Sequence, residues 1–180
     1  MENISNNLRG MYRDTLFNSE NRLVFDSGWT SNTIVFNCRV LLASLFASFM
    51  KGEPVLGEGY MKVGWGSEDW RSGDLVQPAA SQDVLVNEYR NKIVKIDSIR
   101  YLYEDNSPYL DENNEPYNRL EIKVTLGKNF PNESGHSDLR EFGLFGKQKD
   151  KKERMINCVN HPLIQKAETD TLIRVVRLVF

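Results

Sequence analysis

The chain has 180 residues, 40% of them apolar and 27% charged, and carries a formal net charge of −2. A chain of that length buries about 70% of the surface its unfolded form would expose, so one hydrophobic core suffices without disulfide or metal staples. The near-neutral balance gives no general attraction for nucleic acid or an anionic bilayer, and the longest apolar run, Val40 to Met50, falls far short of the about 20 residues a membrane helix needs.

The first twenty residues lack the apolar stretch of a secretion signal, which places synthesis and assembly in the cytosol. Leu8 to Phe17 and Arg22 to Asp26 flank the polar turn NSEN and read as a hairpin. After Trp29, residues Ile34, Cys38, Leu41, Leu45 and Phe49 fall at helical spacing. Val35, Leu42 and Phe46 form a second stripe beside them. This predicts one principal buried helix over about residues 32–51, with Ser31 or Asn32 as its N-cap and Gly52 as its stop.

Tyr60 to Val63 reads as a strand leading into GWGSEDW, whose glycines imply tight turning. They lack the third glycine and following helix of a phosphate cradle. Val84 to Arg90 leaves helical and extended readings open. Ile93 to Tyr103 is a long strand whose apolar phase slips near Asp97 and Ser98, the mark of a bulge. Leu120, Ile122, Val124 and Leu126 alternate with polar residues, as in a strand with one wet face. Between these two strands, Glu104 to Asn118 carries five acids and no base, a long hairpin loop.

LREFGLFG, residues 139–146, is a further strand, and KQKDKKER after it holds five bases and two acids, the composition of a solvated loop. Met155 to Val159 and Leu163 to Gln165 are short strands around His161 and Pro162. Thr171 to Phe180 has apolar residues on both faces, which implies cover on both, and its Arg174 and Arg177 lie on opposite faces and need partners. The whole is a mainly β chain of seven to nine strands: a single β-sandwich-like domain spanning residues 1–180.

No chemistry-bearing constellation stands out. His136 and His161 belong to no metal-ligand spacing, and the neighbours Ser134, His136 and Asp138 cannot converge as a triad. Asp111, Glu112 and Glu115 lack the spacing of a calcium loop. The reading therefore assigns no catalytic residue, no metal and no cofactor. Glu141 is expected on one face with Leu139, Gly143 and Phe145, as a structural acid fixing register or a turn, with Arg140 beside it. Trp65, Trp70, Tyr101, Tyr103, Tyr109 and Tyr117 keep open an alternative, a small carbohydrate-binding module.

Several stretches, in consistent order, resemble phage tail-fibre and tail-collar-type attachment domains: SGWTSNTIVFNCRVLLASLF, YMKVGWG, DVLVNEYRNK, REFGLFG and the ending IQKAETDTLIRVVRLVF. Glu141, Gly143, Leu144 and Phe145 occupy the positions of that group's "rEiGLf" strand. The resemblance implies a non-enzymatic subunit of a phage tail or phage-derived contractile injection particle, at a baseplate, collar, fibre attachment or tail end. Such a subunit assembles in the cytoplasm, becomes part of a virion or injection particle, and partners other tail, baseplate or tube subunits and copies of itself. On that reading Arg140 and Glu141 pin the sheet, and Arg174 and Arg177 pair with acids in the fold or across an interface. The loops carrying Asp111, Glu112 and Glu115, and Lys147, Lys149, Lys151 and Lys152, would contact neighbours.

Overall fold

A computed structural model of the chain describes residues 8–51, 57–67, 69–70, 75–108, 118–132, 135–148 and 152–180. The opening hairpin is present: β1 (Arg9–Phe17) pairs antiparallel with β2 (Leu23–Asp26). The Asn18 side chain closes their turn by accepting from the Glu20 and Arg22 amides at 3.1 and 2.9 Å. Two very short strands follow, β3 (Thr30–Ser31) and β4 (Thr33–Ile34), and then the helix α1 (Phe36–Met50). The remaining strands are β5 (Gly57–Gly64), β6 (Glu88–Tyr101), β7 (Arg119–Leu126), β8 (His136–Gln148), β9 (Glu153–Ala167) and β10 (Thr171–Val179).

All pairings are antiparallel, in the order β2-β1-β10-β7-β6-β5-β8-β9-β4, with β3 added to β1. The fold is mainly β with one helix, as the alternation implied. Its sandwich character takes the form of one curled sheet whose halves face each other across a common core. β6 makes the curl. Its Ile93–Lys95 segment pairs with β5, its Ile96–Tyr101 segment pairs with β7, and the register slips between Ile96 and Ser98. The Asp97 left over accepts a hydrogen bond from Thr125 at 2.6 Å. A bulge of this kind bends and twists a strand, so one strand serves both halves.

The two ends of the curl are tied by residues 30–34. β3 bonds to Met11 and Tyr12 of β1, β4 bonds to Asn157 and Cys158 of β9, and the Asn32 amide between them donates to the Gly10 carbonyl at 3.0 Å. This tie replaces the expected N-cap. Ser31 and Asn32 have their backbone groups committed to strands, so the helix begins four residues further on, at Phe36. Gly52 lies outside the described residues.

Inside the curl, Tyr12, Leu16, Met61, Val63, Val94, Ile122, Val124, Leu126, Phe142, Leu144, Leu172 and Val176 form the main core. A second cluster, Val35, Tyr60, Leu85, Phe145, Met155 and Cys158, forms around β5, β8 and β9, and α1 lies against β9. Among the described side chains of α1, cover is uneven. Cys38 is buried, whereas Phe36, Leu42 and Met50 stand at the surface, so the complete burial expected for α1 is not reached within one chain.

Three further strands take definite form. Val84 to Arg90 is a loop that becomes strand at Glu88. The two short strands around His161 and Pro162 are one continuous β9. Proline is tolerated there because His161 to Leu163 stand opposite Arg140 alone, in a bulge where no ladder bond from residue 162 is needed. β10 is asymmetric: Leu172, Arg174, Val176 and Leu178 are buried, while the other face is half-covered.

Candidate functional site

The LREFGLFG strand is where the sequence placed its most conspicuous charged pair. Glu141 is completely buried, opposite Gly64 in the β5–β8 register. Its two oxygens accept from the Asn87 amide at 2.6 Å and the Val86 amide at 2.8 Å. Asn87 in turn donates from its side chain to the Gly66 carbonyl at 2.7 Å, and its backbone carbonyl accepts from the Trp65 amide at 2.9 Å. One carboxylate thus holds the loop before β6 against the turn after β5. Burial raises the Glu141 pKa, outweighing the backbone amides that favour the charged form.

The glycines of YMKVGWG are part of this clamp. A Cβ on Gly64 would sit 2.4 Å from the Asn87 carbonyl and 2.5 Å from Glu141 Oε1. Gly66 has a φ of +63°, and a Cβ there would meet the Trp70 ring at 2.4 Å. Glu141 does not share its face with Leu139 as alternation predicts. The register shifts between Leu139 and Glu141, and Leu139 joins Phe142 and Leu144 in the main core. Arg140 is buried beside the clamp, 3.6 Å from Asp138 and donating weakly to the Trp65 carbonyl at 3.4 Å. Arg140 and Glu141 therefore meet the same turn.

Arg174 and Arg177 find their acids within the chain. Arg174 stands directly opposite Asp14 in the β1–β10 register, and neither side chain has any exposure. Its Nε and Nη2 donate to the two Asp14 oxygens at 2.5 and 2.7 Å, and its guanidinium lies 3.7 Å from the Phe142 ring centroid. Nη2 also lies 3.1 Å from His161 Nε2. Because a guanidinium can only donate, Nε2 accepts, the proton sits on Nδ1, and Nδ1–H donates to the Pro162 carbonyl at 2.8 Å. Burial, and then the Arg174 charge, drive the His161 pKa down to about 4. The carboxylate and both imidazole nitrogens are fully engaged within the network, which is the arrangement of a structural polar core.

Arg177, on the outer face, donates to Glu121 Oε2 at 2.9 Å and covers the Trp29 ring at 3.9 Å. Glu121 receives Arg100 on its other oxygen, at 2.7 Å from Nε. Asp14, His161 and Glu121 carry these networks; the sequence did not mark Asp14 or Glu121, and marked His161 only as a histidine outside any metal-ligand spacing. The signal available was that Arg174 and Arg177 lacked nearby acids; only the register supplies them.

The basic and acidic loops are described in part. Lys147 belongs to β8, across from Glu58 and Glu153 in the two neighbouring registers. Lys152 is exposed just before β9. Lys149, Lys151, Asp111, Glu112 and Glu115 lie outside the described residues, as do Ser134, Tyr109 and Tyr117. Among the aromatic residues, Trp70 is buried over Gly66, Trp65 packs edge-on to Tyr89, and Tyr103 is exposed.

A cavity of about 380 Å³ opens along the tied seam. Tyr12, Asp14, Thr30, Asn160 and His161 contribute to its wall, with Phe25 and Pro78. Ser27, Ser31, Thr33 and Cys158 also line it. Among the described residues no three His, Cys, Asp or Glu side chains converge as a metal-binding group, and no helix is long and apolar enough to cross a membrane.

What remains uncovered is apolar surface. Phe36 is 62% and Met50 68% exposed at the two ends of α1, with Leu42 between them also at the surface. On the far side of the sheet order, β2 is an edge strand whose Leu23, Val24 and Phe25 are all exposed. No protein-family model, curated protein or solved structure matches the chain.

Proposed function

We propose that the chain is a non-enzymatic structural subunit, built into a phage tail or phage-derived contractile injection particle, acting through contacts with copies of itself and with neighbouring tail, baseplate or tube subunits. The observation that carries this reading is α1. A helix apolar around most of its circumference needs cover on most of its circumference, yet this one packs mainly against β9 and leaves Phe36, Leu42 and Met50 at the surface. Phe36, Leu42 and Met50 supply the large apolar side chains that anchor interface centres. The β2 edge supports the same reading, since unpaired strand groups are a ready template for another chain. The particle assignment rests on the order of the resembling stretches, from the helix-opening segment to REFGLFG and the closing strand.

Sedimentation of the purified chain, and recovery of a tagged copy from its host, test the proposal. Assembly, together with co-purifying particle components, is the expected result. Phe36→Glu combined with Met50→Glu should leave the β-rich circular dichroism intact and abolish assembly. A wild-type chain that stays monomeric at high concentration and recovers no particle component overturns the reading.

A further inference from the structure

A second cavity, about 710 Å³, lies at the end of the sheet where β1, β10 and β7 run side by side. Arg9, Val179 and Arg119 form one row across those three strands, and Arg177 lies two residues along β10 on the same face. All three arginines line the cavity with Asn32, Asn106 and Asn118, and among the described residues no acidic one does. Strands two apart are about 10 Å apart, so two arginine side chains from Arg9 and Arg119 can reach a common ligand between them.

The charges are unequally used. Arg177 shares Glu121 with Arg100. Among the described residues, Arg119 has a long bond from Nη1 to Asn106 Oδ1 at 3.3 Å, and its Nε is buried with no partner. Both amide atoms of Asn32 are also buried without partners. That amide packs over Gly10, on the face of β1 opposite Arg9, where a Cβ would lie 1.8 Å from Asn32 Oδ1. Buried donors left unmade are costly, and a guanidinium matches a phosphate or carboxylate group with two parallel bonds.

We propose that this cavity binds a small molecule bearing a multiply charged oxyanion, a phosphate ester or a polycarboxylate, with Arg9 and Arg119 as its charge partners. The volume exceeds that of a single oxyanion and leaves room for the rest of a small ligand. This site is separate from α1 and does not depend on the assembly reading.

Calorimetric titration of the full chain with pyrophosphate and with citrate, at low and at physiological ionic strength, tests it. Saturable one-to-one binding is expected, stronger for whichever anion type the site takes, so that the two arms separate phosphate from carboxylate. Arg119→Gln should weaken binding about tenfold or more. Arg9→Gln should do the same, and because Arg9 is exposed its removal leaves folding undisturbed. Lys123→Gln, on the same sheet face outside the cavity, should change nothing. Absence of saturable binding to both anions overturns the proposal. So does equal weakening by Lys123→Gln and Arg9→Gln, which would mean a diffuse basic surface.

Discussion

Acid should destabilise this protein through one side chain. His161 titrates near 4 in the folded chain, against about 6.5 for an unperturbed imidazole in the unfolded chain. Between those values the unfolded state binds a proton that the folded state refuses, so stability falls as the pH drops through 6.5 and the loss is complete below 4. Going from pH 7 to pH 4.5, this single group costs about 2.5 kcal/mol. That is a sizeable share of the 5–15 kcal/mol that holds a typical domain folded. The cause is local: the imidazole is enclosed, and the cation it would face on protonation is Arg174 at 3.1 Å. Urea unfolding at pH 7 and pH 4.5, on wild type and on His161→Gln, isolates the effect. The variant keeps an acceptor for Arg174 and a donor for the Pro162 carbonyl but cannot titrate. Its loss on acidification should be smaller than the wild type's by about 2.5 kcal/mol. Equal losses in the two proteins would refute the reasoning.

Removing Arg174 alone, as Arg174→Met, leaves the Asp14 carboxylate buried without its cation and should cost about 3–5 kcal/mol by chemical unfolding; adding Asp14→Leu should recover much of that, since it is the orphaned charge that is costly. Glu141→Gln turns one acceptor oxygen into a donor facing a backbone N–H and should cost about 1–3 kcal/mol in the same assay, with faster amide exchange at Val86 and Asn87 as its local signature. Gly64→Ala should be at least as damaging, because the added methyl group meets the Asn87 carbonyl and Glu141 together. Burial pushes the Cys38 thiol up to about 11 and Cys158 up to about 12, so at pH 8 an alkylating reagent should label both only in denaturant. Rapid labelling of the native chain at either cysteine would contradict the packing around β9.

Much of the architecture was legible because it obeys short-range rules. Alternation from Leu120 to Leu126 and the phase slip at Asp97 each translate directly into observed geometry, since a period of two fixes which side chains face inward. The continuity of β9 was not legible, because Pro162 signals a break unless a bulge excuses its missing N–H. The helix start was hidden for a related reason: Ser31 and Asn32 are good caps by type, yet their backbone groups are taken by strands that sequence proximity does not reveal. The charged residues show the same division. Glu141 could be recognised as an acid needing backbone donors, but the loop that supplies them lies more than 50 positions earlier. Arg174 announced the need for a partner; that the partner is Asp14, 160 positions away, is a fact of register alone.

The pairing of β1 with β10 also bears on the protein's life on the ribosome. The β1–β2 hairpin must wait for β10, and until then Tyr12, Asp14 and Leu16 have no neighbour along that edge. Contacts so distant in sequence form slowly, and unpaired strand edges invite wrong company meanwhile. Closure of the curl therefore waits until β10 has been made, and a nascent chain stalled before Thr171 would carry an open sheet, sensitive to protease and attractive to chaperones.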